Sequence, residues 1–152
     1  MTQDVLYPEE VQMHHCARLL NKSPAASKKV YLACPYSAWK EDGGMDHELC
    51  DQRFQKSCEM AAVLMKLGHM VFSPISHSVP IAKYLKNYLD HDFWLKQELP
   101  FIHWCEELWV YKLPEWDKSK EIKREIEYAR KLKKPIVYVE LEDYTNETIQ
   151  TS

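Results

Sequence analysis

The sequence predicts an α/β fold, a parallel β-sheet wrapped by helices on both faces. Two apolar runs, Leu108-Trp109-Val110-Tyr111 and Pro135-Ile136-Val137-Tyr138-Val139, flank a charged segment of helical period from Lys118 to Lys134. Strand, helix, strand at this spacing is a βαβ unit, whose strands run parallel and are buried on both faces. The alternation recurs upstream, where the runs KVYLAC and HMVF bracket a long amphipathic segment. With 152 residues, 45% hydrophobic and 28% charged, the chain has the makings of one globular domain with a proper core.

The elements follow in order. Residues 1–28 read as an extension, a short helix from Pro8-Glu9-Glu10 to Leu20 and then a linker, Asn21 to Ser27. Its His14-His15-Cys16 cluster invites a metal, but adjacent side chains do not readily converge on one ion and no matching pair stands elsewhere, so no metal is expected. The α/β domain is expected over residues 29–141. Lys29 to Cys34 is the first strand, ended by Pro35. The loop PYSAWKEDGGMDHE follows, with Gly43-Gly44 as its flexible point. Loops after the first strand of a parallel sheet lie over the binding crevice, which makes Pro35, Tyr36 and Ser37 candidate ligand contacts. Neither G-x-G-x-x-G nor a Walker phosphate loop is present, so no dinucleotide cofactor is expected.

Glu48 to Leu67 is a helix with Cys50, Phe54, Cys58, Ala61 and Met65 on one face and Gly68 as its C-terminal cap. His69 to Phe72 is the second strand. It leads into Ser73-Pro74-Ile75-Ser76-His77-Ser78, whose Ser73, His77 and Ser78 either face a ligand or form a capping turn that starts the next helix near Ser78. Val79 to Leu89 and Asp90 to Glu98 are helical, and Pro100 opens a last short turn, as proline at a first helical position does. His103 and Cys105 read as packing residues. Leu108 to Tyr111 is the third strand, Pro135 to Leu141 the fourth, and residues 142–152 form a polar tail. The result is one domain with a flavodoxin-like or Rossmann-like parallel sheet of four to five strands and right-handed crossovers.

The net charge of −3 excludes a protein that coats nucleic acid, though not one that holds a single nucleotide in a pocket. No apolar run reaches bilayer-spanning length, and the first residues carry acids without a hydrophobic segment. Five cysteines without paired spacing suit a reducing compartment, so a cytoplasmic, soluble protein is expected.

The helix between the last two strands carries the anomaly. Ile122, Ile126, Ala129 and the stem of Lys133 line one face at 100° per residue, with Glu125 on its edge between Ala129 and Leu132. Periodicity alone allows Glu125 to border the stripe and reach water. A carboxylate turned toward a sheet is costly unless something needs it there. It also follows a strand's carboxyl end, where α/β proteins place ligands.

Taken together, KVYLACPYS, GHMVFSPISHS, FWLKQELP and ELWVYKLPEWDKS…E…A…KKPIVY resemble the nucleoside 2-deoxyribosyltransferase-like superfamily, in particular small bacterial and phage proteins within it. The similarity spans roughly residues 29–140. It implies an enzyme that cleaves or exchanges the N-glycosidic bond of a nucleoside or nucleoside 5′-monophosphate, without a cofactor. It further implies Glu125 as nucleophile, four residues before Ala129 and six after Ser119. The general acid falls on Glu98, with Asp92 the nearest aspartate, and Tyr31 contacts the nucleophile. Superfamily members are commonly dimers or larger. The resemblance also sets Ser119 at a phosphate, since the monophosphate hydrolases carry serine there; Lys118, Lys120 and Lys123 add positive charge nearby. Such chemistry needs one ionised carboxylate to trap the sugar cation and a second acid, raised by burial against Trp94 and Phe101, to protonate the departing base. The chain departs from the pattern at Glu121 and Lys123, where members usually carry glycines, and at Glu98, where they carry aspartate. Those departures leave open a non-catalytic domain that senses a nucleotide or ADP-ribose-like ligand.

Overall fold

A computed structural model describes residues 27–85 and 90–144. The expected N-terminal helix and linker, the His14-His15-Cys16 cluster and the tail from residue 145 lie outside the described residues. Strands β1 (Lys29–Ala33), β2 (Met70–Phe72), β3 (Glu107–Tyr111) and β4 (Ile136–Val139) form one parallel sheet in the order β2-β1-β3-β4. This is the expected flavodoxin-like arrangement. The chain winds outward from β1 to β2 and then crosses back to β3, so the topological switch lies between β1 and β3, where doubly wound proteins open their crevice.

Helices α1 (His47–Lys66), α2 (Pro74–Ala82), α3 (His91–Trp104) and α4 (Lys120–Lys131) cover the sheet. Alternation along β1 separates two cores. Val30, Leu32 and Cys34 meet Met60 and Leu64 of α1 on one face. Tyr31 and Ala33 meet Ile102 of α3 and Ile122, Ile126 and Ala129 of α4 on the other. With both faces covered, the strands read as continuous apolar runs, which is why the sequence revealed them.

Several elements differ in detail from expectation. The buried stripe of α1 is Cys50, Arg53, Ser57, Met60, Ala61 and Leu64, rotated from the one expected. Met65 is half exposed and Phe54 only half buried. Two polar residues stand in that stripe because each finds a bond there: Ser57 Oγ donates to the Phe54 carbonyl at 2.7 Å, and Arg53 reaches loop carbonyls. The Gly43-Gly44 segment is an ordered hairpin turn, not a flexible point. Trp39 bridges Met45, the Lys40 amide donates to the Gly44 carbonyl at 2.7 Å, and Gly43 takes the left-handed φ of 86° that a glycine tolerates.

Helix α2 begins at Pro74, with Ser73 as N-cap accepting from the Ser76 amide, and not near Ser78. Proline at the first helical position was the missed signal. Pro80 then removes a ladder donor, and the helix ends at Ala82 instead of Leu89, with residues 86–89 outside the described part. Helix α3 runs unbroken through Pro100, where a separate turn was expected. Pro100 is itself exposed, and Lys96, whose carbonyl loses its donor, also faces solvent. Ile102, two residues on, is fully buried and anchors the last turn. His103 is exposed against Tyr128, whereas Cys105 is buried as expected. Lys133 stands beyond α4 at a φ of 57°, exposed, and so is not part of the helix face. No described helix is long and apolar enough to cross a membrane.

Candidate active site

A cavity of about 260 Å³ opens past the carboxyl end of β1. Its walls come from the loop after β1 and from α2, α3 and α4. Trp39, Met45, Ile75, Val79, Trp94 and Leu95 make it largely apolar. Glu98, Glu121 and Glu125 also line it, with His91 and Arg124.

Glu125 is inside, not at the edge of the helix face: only 4% of it is exposed. Tyr31, at the middle of β1 and fully buried, donates its hydroxyl to Glu125 Oε1 at 2.7 Å. Among the described residues Oε2 has no hydrogen-bond partner. A buried carboxylate oxygen without a donor is expensive, and such groups in folded proteins call for an explanation. Burial drives the Glu125 carboxyl well above the ordinary carboxylate range, and the charge of Glu98 adds to this. The Tyr31 hydrogen bond pulls the other way, and Glu121 raises it again. Glu125 lies in the second turn of α4, beyond the reach of the helix dipole. The expected ionised carboxylate therefore depends on Tyr31 alone among the groups around it. The Tyr31 phenol is itself raised well above its usual value by burial and by the neighbouring carboxylates, so it remains a donor.

Glu98 faces the same cavity from α3. Burial, with the Glu121 charge adding, raises its carboxyl from 4.5 to about 7. The direction matches the one expected for an acid. Trp94 shares its wall of the cavity; Phe101 does not line it, and stacks instead on Phe72 at 3.7 Å.

Of the other expected residues, Tyr36, Ser37 and Ser78 line the cavity. Pro35 is buried in the body of the domain and does not line it. Ser73 is committed to capping α2 and bonds Ser76 Oγ at 2.9 Å. His77 is exposed, with its ring against Phe72. Asp92 is outside, 77% exposed in its side chain and 3.6 Å from Arg124. Ser119 caps α4, accepting from the Ile122 amide at 3.3 Å, and lines a smaller groove with Lys123 and Arg130 rather than the main cavity. Ser73 and Ser119 are each spent as an N-cap, the role serine takes before a helix.

Sequence reasoning missed Arg53, His91 and Arg124, and took Glu121 only as a lost glycine. Arg53 is 7% exposed and donates to the carbonyls of Ser37 at 2.8 Å and of Tyr36 and Pro114 at 3.4 Å. It ties the loop after β1 to the loop after β3 across the switch point. The spacing of Glu121, Arg124 and Glu125, which places all three on one helical face, was the available signal. Among the described residues no three His, Cys, Asp or Glu side chains group as a metal site.

Comparison with known proteins returns a family described as a domain of unknown function (DUF1937), which matches residues 28–141. No curated protein sequence matches. Among solved structures, a 2-deoxyribosyltransferase from the psychrotolerant bacterium Bacillus psychrosaccharolyticus superposes with a TM-score of 0.52. It is 22% identical, over 76% of this chain and 72% of that one. The fold is therefore nucleoside 2-deoxyribosyltransferase-like.

Proposed function

The chain belongs to the DUF1937 family, and we propose that it is an enzyme that cleaves or exchanges the N-glycosidic bond of a nucleoside 5′-monophosphate or deoxynucleoside through a covalent glycosyl–Glu125 intermediate. The observation that carries this reading is the buried Glu125, a residue of the cavity wall held by Tyr31 through one oxygen while the other, also buried, has no hydrogen-bond partner among the described residues. The likeness to a 2-deoxyribosyltransferase supports it at the level of fold.

In the first step Glu125 Oε2 attacks C1′ of the sugar, forming a C1′–O bond as the C1′–N bond to the base breaks. The electron pair of that bond leaves with the base nitrogen, which takes the proton of Glu98. In the second step Glu98, now a carboxylate, removes a proton from water or from an incoming base, which attacks C1′ and releases Glu125. This is the two-carboxylate logic of retaining glycosidases with a nitrogen leaving group. The reactive form carries the charge on Glu125 and the proton on Glu98. The Tyr31 hydrogen bond favours that distribution, and a value of about 7 suits Glu98 to give and take a proton near neutrality. The apolar wall around Trp94 and Trp39 offers aromatic faces to a base.

Liquid chromatography of a panel of nucleosides and 5′-monophosphates incubated with the protein tests the reading, which expects free base to appear. A ligand that raises the melting temperature but stays intact would instead favour the sensor reading, to which the carboxylate of Glu121 at a glycine position lends support.

We further propose a homodimer or larger assembly. Phe101 and Trp104 keep 36% and 39% of their surface exposed, Ile81 40% and Tyr84 87%. Light scattering at micromolar concentration checks this; an 18.1 kDa monomer counts against it.

A further inference from the structure

The ladder between β1 and β3 has its last pair at Ala33 and Val110, and beyond it both chains leave the sheet. The first becomes the loop whose Tyr36 and Ser37 line the main cavity. The second runs through Pro114 and Glu115 into a single 3-10 turn, Trp116–Lys118, and on to α4, which carries Glu125. Arg53, on the buried face of α1, joins the two. Its Nη1 donates to the Ser37 carbonyl at 2.8 Å and the Tyr36 carbonyl at 3.4 Å, and its Nη2 to the Pro114 carbonyl at 3.4 Å. The Glu115 carboxylate stands off at 3.9 Å on a side chain 60% exposed, where water screens the pair. Glu115 also takes a left-handed φ of 68°, which costs an ordinary residue and lasts only where its surroundings hold it. A buried guanidinium is costly, and a well-packed apolar side chain often serves a fold as well. What an apolar side chain lacks is a rigid planar fork whose donors reach carbonyls of two separate loops at once; a lysine ammonium lacks it too.

On the reading of the cavity as a glycosyl-transfer site, we infer that Arg53 is a positioning residue for the reaction, fixing the wall made by the loop after β1 against the segment that leads into α4 and Glu125. Arg53 itself does not line the cavity, so it acts through the carbonyls it holds. A substrate seated against Tyr36 and Ser37 must bring C1′ into line with the Glu125 carboxylate, which stands on a different element. A misplacement of about 1 Å is enough to cost about a hundredfold in rate. The strand ladder stops short of both segments, and the fork of Arg53 takes over beyond it.

The test measures kcat and KM for wild type, Arg53→Lys and Arg53→Met on the nucleoside or 5′-monophosphate that the wild type turns over fastest. The assay temperature is one at which melting curves show the proteins folded. Arg53→Lys keeps the charge and loses the fork; Arg53→Met keeps most of the stem and loses every donor. The expected fall in kcat is about tenfold in the first and about a hundredfold in the second, with KM moving by less than about threefold. A merely structural arginine would leave kcat and KM of the folded variants at their wild-type values, and that result overturns the inference. A change confined to KM overturns it as well. If Arg53→Met does not fold, Arg53→Lys decides alone, and failure of both to fold makes Arg53 structural and overturns the inference. Should the wild type release no base, the glycosyl-transfer reading fails on its own, and hydrogen exchange on wild type and Arg53→Lys decides the role of Arg53. Faster exchange confined to residues 35–46 and 112–119 upholds it. Unchanged exchange, or a rise spread over the whole chain, overturns it.

Discussion

Tyr31 and Glu125 stand 94 residues apart in the chain and meet at 2.7 Å, hydroxyl to carboxylate, in the core between β1 and α4. Neither makes sense without the other. A fully buried phenol needs an acceptor, and a buried carboxyl pushed toward protonation needs a donor to hold any charge at neutral pH.

The pair makes Glu125→Gln an informative variant. It keeps the volume and the hydrogen bond from Tyr31 while removing charge and nucleophilicity. Base release is expected to fall by about a thousandfold or more. The melting temperature is expected to stay level or rise, because a neutral amide costs less to bury than a carboxylate charge. A purely structural Glu125 would give the reverse, intact chemistry and a fold weakened by about 1–3 kcal/mol. Chromatography and thermal melting on one protein separate the two.

Glu98 sets a pH dependence whose sign can be stated. Its value in the folded protein is raised from 4.5 to about 7, so the folded state binds the proton more tightly than the unfolded chain. Stability therefore falls as pH rises from about 4.5 to about 7 and levels off above, by at most about 3 kcal/mol. Loss of the same proton removes the general acid, so base release should decline above about pH 7. Melting curves at pH 5 and pH 8 are expected to differ more for the wild type than for Glu98→Gln. Equal pH responses in the two proteins would remove Glu98 from both roles.

Lys133 offers a prediction independent of function. It closes α4 at a φ of 57°, with its amide on the Arg130 carbonyl and the Lys134 amide on that of Ala129. Gly68 does the same work after α1 at a φ of 95°. Left-handed backbone costs an ordinary residue about 1–2 kcal/mol, part of which is regained because glycine makes the unfolded chain more flexible. Lys133→Gly is expected to stabilise the protein by about 0.5–1 kcal/mol, read from denaturant melts. A destabilised variant would mean that the lysine stem contributes packing after all.

How the chain reads depends on the range of each interaction. The two central strands, β1 and β3, were legible because burial on both faces turns each into an unbroken apolar run. The start of α2 at Pro74 was missed because two local signals competed, and Ser78 was taken for the cap that Ser73 supplies. The stripe of α1 was misplaced because Arg53 and Ser57 look like surface residues until their carbonyl partners are known. Asp92 and His77 were grouped with the site by nearness in sequence. A helix turns 100° per residue, and that rotation left both outside the cavity while bringing Glu98 in.

By itself the sequence determined the α/β class, the order of its strands and helices, and the candidacy of Glu125, because hydrophobic period and chain order are local properties. Only the tertiary structure decided that Glu125 is buried, that its second oxygen has no donor among the described residues beyond the Tyr31 contact already expected at the first, and that Glu121 stands in the first turn of α4 beside it. Those facts depend on which faces of β1, α3 and α4 come together over the switch point. A carboxyl's charge, reach and partners are set by burial and by neighbours distant in the chain, and neither is a property of any single stretch of sequence.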